Sequence, residues 1–250
     1  WEEATPESVD LNSSLLEQAF DQAFVDGSYT QAALVIKDNK LVYERYRGIL
    51  PTEAANLTAT RVLDSQTEYG TRDKDSLATS WSTAKSFTSV LIAIAIEQGF
   101  IESLSEPAST YIEEWQGDER AAITLRNLLD MRSGLPLVCY DFAGQSLGVC
   151  PDAGSAGGNL VFSSNQMSAC INRPLAATNV NQPWHTTGPI WQAGYWLYSN
   201  CDTMVLGEIL YRATGQDLQT YADLQLFSKI GMQAQWWRDN DSTSQVDGNY

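Results

Sequence analysis

TSWSTAKSFTSVLIAIAIEQG, residues 79–99, governs how the rest of the chain is read. Ser82 stands near its start and Lys85 follows three residues later. From Phe87 to Ile96 the run is almost unbroken in its apolar character. Positions 87, 90, 91, 94 and 95 recur at helical spacing, and Ile92, Ala93 and Ile96 fill the other side. A helix apolar all round belongs in a core. Gly99 stands where a left-handed C-terminal cap is usual. The stretch therefore predicts a buried helix with a hydroxyl and an amine at its mouth. Residues at i and i+3 share a face, so Ser82 Oγ and Lys85 Nζ can meet.

That pairing suits nucleophilic catalysis. A serine hydroxyl becomes a useful nucleophile when a neighbouring base takes its proton. Lysine serves as that base once desolvation beside an apolar helix, and the positive end of the helix dipole, favour its neutral form. Backbone N–H groups at the helix start can stabilise an oxyanion. The plainer reading is a capping serine beside a solvated lysine, and S-x-x-K alone does not decide between the two.

Going outward, 250 residues suffice for a large core in one or two domains. Fifteen basic against 31 acidic residues give a formal charge of −16. That excludes a nucleic-acid backbone or an anionic membrane surface as partner. The longest fully apolar run, Val90 to Ile96, is too short to span a bilayer. The first residue is Trp1, so we expect a removed leader or upstream segment. The cysteines are Cys139, Cys150, Cys170 and Cys201. An even count in such a chain points to a periplasmic or extracellular protein with two disulfides, and the expected pairing is Cys139 with Cys150 and Cys170 with Cys201. Buried free thiols are the alternative. No metal site is expected, since no C-x-x-C occurs and His185 is the one histidine.

Residues 11–25 predict an amphipathic helix, and Ala32–Lys37 and Leu41–Arg47 predict two strands joined at Asp38-Asn39. Residues 48–78 read as a broken excursion with short strands. Short helices are expected over Pro107–Trp115 and, capped by Thr124, over LRNLLDMR. Leu135–Gln182 reads as a long functional loop rich in Gly, Ser, Asn and Pro. Helices are expected over Asp202–Ala213 and Asp217–Phe227, and a strand over Gln233–Arg238.

Tyr198-Ser199-Asn200 forms the second constellation. In extended backbone i and i+2 project the same way, so a phenol and a carboxamide would face one cleft. The phenol can relay a proton and the carboxamide can orient a substrate carbonyl. Trp184, Trp191, Tyr195 and Trp196 close by would line an apolar pocket, or simply pack the loop.

Four blocks in order, SWSTAKSFTSVLIAIAIEQGFI, ITLRNLLDMRSGLP, GYWLYSNCDTMVLGEILYRATG and YADLQLFSKIGM, resemble the serine β-lactamase and penicillin-binding-protein superfamily. Within it they are most similar to the class C and esterase branch, and there to the nylon-oligomer (aminohexanoate-dimer) hydrolases. The likeness covers about residues 30–245. It implies that Ser82 is the acylated nucleophile, Lys85 its proton acceptor, Tyr198 the shuttle to the leaving group and Asn200 a substrate-orienting group, with Trp81 a further candidate for substrate binding. No cofactor or metal is implied. The bond cleaved would be an ester or amide of a small molecule. A catalytically degenerate binding or sensor module of the same fold is the rival.

The implied fold is α+β: an antiparallel sheet flanked by helices, holding a mostly helical insertion, with a cleft where the two meet. Residues 1–79 would supply the N-terminal part of the sheet domain, 80–230 the helical domain, and 231–250 an incomplete return. The family's third motif lies on a later strand that this chain lacks. Lys229-Ile230-Gly231 reads as a helix-closing turn, and His185-Thr186-Thr187-Gly188 falls in the wrong order. We therefore expect this chain to be a fragment or one half of a cleaved protein, with a second polypeptide carrying the remaining strands, because a sheet edge left without partners is an aggregation hazard.

Overall fold

The computed structural model describes residues 1–59, 72–78, 80–135, 165–173, 175, 196 and 198–236. The chain divides into two units, Trp1–Ala78 and Thr79–Tyr250.

In the first unit Asn12 caps α1 (Ser13–Ala23) by accepting the Leu15 N–H at 2.9 Å. β2 (Ala32–Lys37) and β3 (Lys40–Tyr46) then form an antiparallel hairpin, with Ala32 opposite Tyr46 and Lys37 opposite Lys40. Its turn is Asp38-Asn39, at φ 54° and 59°. Two consecutive positive φ values match the right-handed strand twist, and Asp and Asn tolerate them. A two-residue strand, β1 (Glu2–Glu3), adds in parallel on β3 and makes the sheet three-stranded in the order β1-β3-β2. Phe20 of α1 meets Tyr43 of β3 edge-on, with ring centroids 4.4 Å apart.

Among the described residues after 47, a helix stands where short strands were expected, while residues 60–71 lie outside the described residues. Pro51–Ala59 is a helix, α2. Its start is written in Leu50-Pro51-Thr52-Glu53. Proline suits the first helical position, and the Glu53 carboxylate reaches back to accept the Leu50 N–H at 2.9 Å. The same carboxylate accepts the N–H groups of Gly27 (3.0 Å) and Tyr29 (2.9 Å), and Arg47 clamps it through both guanidinium nitrogens. Gly27 and Tyr29 lie at φ 85° and 57°, so this turn needs such support. One buried anion thus joins the turn before β2, the end of β3 and the start of α2.

In the second unit a turn at Trp81–Thr83 leads into α3 (Ala84–Glu97), which closes at Gly99 with φ 79°. Two short 3-10 turns, Ala108–Thr110 and Glu113–Trp115, replace the helix expected over 107–115. Thr124 and Asn127 form a reciprocal capping box at the head of α4 (Leu125–Leu129). A short helix, α5 (Gln166–Ile171), occupies part of the segment read as loop, capped by Asn165 at 2.8 Å from the Ser168 N–H. α6 (Asn200–Thr214) is the axis of this unit, packing against α3, α4, α5 and α7 (Leu218–Ala222). Met204, Val205, Ile209 and Leu210 on it are wholly buried. A π turn at Asp223–Phe227 joins α7 to α8 (Ser228–Ile230), which Gly231 ends at φ 67°. Lys229-Ile230-Gly231 is therefore a helix end. Residues 233–236 are not a strand, contrary to expectation; there Trp236 stacks on Phe227, centroids 5.5 Å apart.

The α3 helix is not apolar-buried all round. Leu91, Ile92 and Ala95 are fully buried, while Ser86, Ser89, Val90 and Ala93 lie exposed along one face. Among the described residues no helix is long and apolar enough to cross a membrane.

The Glu53 knot is directly testable. Its side chain has no exposed surface. Arg47 first, then the Leu50 and Tyr29 N–H groups, hold the carboxyl down at about 2 against desolvation. A lowered folded-state value means that stability is present above the unfolded value of 4.5 and is lost as pH falls toward 2. Glu53→Gln should cost about 3 kcal/mol in urea denaturation at pH 7, and should remove part of the wild-type loss across that acid window.

Candidate active site

Ser82 lies in the Trp81–Thr83 turn, and Lys85 lies one turn on, in the first turn of α3. Lys85 Nζ donates to Ser82 Oγ at 3.1 Å. From 116 residues away Tyr198 Oη donates to the same oxygen at 2.5 Å. The Lys85 ammonium position is 5.3 Å from the centroid of the Tyr198 ring. The three side chains named from the sequence therefore converge on one oxygen within the second unit.

Their setting is wetter than expected. Ser82 is exposed and Lys85 and Tyr198 are half-buried. The reason is local: Ser82 sits in the turn ahead of the helix, and the exposed face of α3 begins one residue after Lys85. Trp81 carries a positive φ of 47° and an indole 59 % exposed. A bulky residue in the left-handed region is strained, and such strain gathers at working sites.

The second arm is built by the head of α6. Ser199 caps the helix by accepting the Asp202 N–H at 3.3 Å. Asn200 is the first helical residue, and no hydrogen bond among the described residues joins its carboxamide to Ser82 or Lys85. Cys201 bonds Cys170 of α5, as expected. The expected Cys139–Cys150 bridge lies outside the described residues, as do Trp184, Trp191 and Tyr195; Trp196 is exposed.

Sequence reasoning passed over Asp202. In the first turn of a helix an acid reads as a surface charge favoured by the dipole. Here it has no exposed surface. Ser133 Oγ donates to its Oδ1 at 2.7 Å, and burial pushes the carboxyl up to about 7. No spacing signal marks this, because Ser133 lies 69 residues earlier. Among the described residues no group of three or more His, Cys, Asp and Glu side chains could hold a metal.

Solved structures share this arrangement of elements. A protein from Bacillus anthracis described as a 6-aminohexanoate-dimer hydrolase superposes with a TM-score of 0.52 at 22% identity, covering 87% of this chain and 47% of its own. FmtA from Staphylococcus aureus gives 0.60 at 14%, with 99% and 56% covered. An octameric penicillin-binding-protein homologue from Pyrococcus abyssi gives 0.58 at 17%, with 95% and 47% covered. The chain thus spans about half the length of the solved structures it matches. No curated protein matches it. These likenesses define the fold as β-lactamase/transpeptidase-like, with helices and a small sheet. The model of the beta-lactamase family matches residues 18–249, and the chain belongs to that family.

The disulfide closes a loop with a sequence separation of 31 beside this arm. Replacing Cys170 and Cys201 together by alanine should cost about 3–4 kcal/mol, read from denaturant midpoints of the two proteins.

Proposed function

We propose that the chain carries the acylating machinery of a serine hydrolase that cleaves an amide or ester bond in a small molecule. The observation that supports this most is the convergence of Lys85 and Tyr198 on Ser82 Oγ. In this reading the Ser82 oxygen attacks the substrate carbonyl while its proton passes to the Lys85–Tyr198 pair, the amine being uncharged at that moment. The carbonyl becomes a tetrahedral oxyanion. Tyr198 Oη then gives a proton to the departing amine or alcohol, and an acyl group stays on Ser82. Water, deprotonated by the same pair, removes it. Asn200 orients the substrate from the head of α6, and the Trp81 indole flanks it. Ester, ω-amino amide, D-alanyl peptide and β-lactam substrates all fit this chemistry, and hydrolysis of p-nitrophenyl butyrate, a linear amino-acid amide and nitrocefin separates them.

The reading includes a second polypeptide bearing further strands of the fold. It is supported by two open surfaces. One is the α3 face at Ser86, Ser89, Val90 and Ala93. The other is β2, which pairs on one side only among the described residues and whose Leu34 and Ile36, on one face, are 52% and 38% exposed. The buried Cys170–Cys201 bond suits an exported location.

A fluorophosphonate probe, read by intact mass and peptide mapping, should modify Ser82. Ser82→Ala should abolish the adduct, and Lys85→Ala should slow its formation by about 10³-fold or more, since the pair works as a unit. A wild-type protein left unmodified at Ser82 would sink the assignment. An adduct that forms once and never turns over would favour the binding or sensor module. Full turnover by the purified 27.6 kDa chain alone would remove the second polypeptide.

A further inference from the structure

The head of α6 is clamped at three points. Ser199 caps it, Cys201 is bonded to α5, and Asp202 is tied to the turn after α4. The third clamp is chemically unusual. Ser133 Oγ donates to Asp202 Oδ1 and itself accepts the Leu135 N–H at 3.0 Å. Asp202 Oδ2 is buried and makes no hydrogen bond. Elements packed against α6 bring Lys85 and Glu97 on α3, Arg126 and Asp130 at α4, Arg173 after α5, and Asp217 and Tyr221 at α7. Among the described residues, the partners that act on the Asp202 carboxyl are Ser133 and Ser199. A buried acid oxygen with no hydrogen-bond partner is costly to ionise, so the neutral acid fits this site.

We propose that Asp202, in its protonated form, is a positioning residue for the Ser82 site: by holding the Ser133 turn to the first turn of α6 it fixes where Tyr198 meets Ser82. This rests on the serine-hydrolase reading above. With the proton on Oδ2, Oδ1 accepts from Ser133 and no charge is buried. Once ionised, Oδ2 must find water or a donor, and it can do so by pulling the first turn of α6 away from the Ser133 turn. Tyr198, two residues before that helix, then loses its place over Ser82 Oγ. Asp202 touches no reacting atom and acts through Tyr198 alone.

The experiment compares the rate of fluorophosphonate labelling at Ser82 in the wild-type chain and in Asp202→Asn, from pH 5 to pH 9. Asparagine keeps the shape and the acceptor for Ser133 but cannot ionise. The direct pH dependence of Lys85 and Tyr198 is common to both proteins and cancels in the ratio of their rates. For a group titrating at about 7, the protonated fraction falls about tenfold between pH 6 and pH 8, so the ratio of variant to wild type should rise about tenfold over that interval. The raised folded-state value also means that the Asp202 contribution to wild-type stability is fully present below the unfolded value of 3.8 and is lost as pH rises to about 7. Thermal scans should find that loss absent from Asp202→Asn. If Asp202→Asn is not recovered folded, Asp202→Ser, which also cannot ionise, is expected to give the same rising ratio. A ratio constant from pH 6 to pH 8, with wild-type Ser82 labelled, overturns the positioning role alone. A wild-type Ser82 unlabelled at every pH overturns the serine-hydrolase reading and this role with it.

Discussion

Two donors meeting on a single hydroxyl oxygen is the constraint to which the second unit is built. Lys85 approaches Ser82 Oγ from the same helix, by local geometry alone. Tyr198 approaches it from the far end of a 116-residue separation, and only tertiary packing can deliver that contact. The packing of α6 on α3 does so. Leu91, Ile92 and Ala95 face a helix whose own Met204, Val205 and Ile209 are sealed from solvent. Such cores are dense, so small shifts in helix height are resisted, and the phenol stays in register with the hydroxyl.

The parts legible in the sequence are those whose signals are local. The α1 helix, the hairpin with its Asp38-Asn39 turn, the Thr124 cap and the α3 and α6 helices all follow from caps, periodicity and turn residues within a few positions. The Ser82–Lys85 contact follows from i, i+3 spacing, and Tyr198 joined it through the family resemblance rather than through its own surroundings. What escaped was of two kinds. The α2 helix carried a start signal in Pro51 and Glu53, but the polar residues after it hid the pattern; α5 likewise had Asn165 as a cap inside a segment dominated by loop-forming residues. The open face of α3 and the burial of Asp202 belong to the second kind. Periodicity states which residues are apolar, not what covers them, and a first-turn acid looks the same in sequence whether it meets water or a serine 69 residues distant.

Each unit is organised by a buried carboxyl, and the two are opposite in character. Glu53 is fully satisfied: three backbone N–H groups and a guanidinium surround it, and its charge is stabilised. Asp202 has the hydroxyls of Ser133 and Ser199 as partners, and its charge is penalised by burial. The same functional group therefore serves as a fixed anion in one place and as a neutral acid in the other, because partners decide the outcome and burial alone does not.

The left-handed backbone at Trp81 bears on how this protein can change over generations. Valine, isoleucine and threonine are excluded next to Ser82 by main-chain sterics whatever their side chains offer a ligand, whereas glycine and asparagine enter without that penalty. Drift at this position therefore runs along a narrow corridor, in which gaining backbone ease means giving up the aromatic ring. A substitution scan across the chain would find a gap in tolerance here that neither burial nor hydrogen bonding accounts for, since Trp81 is exposed.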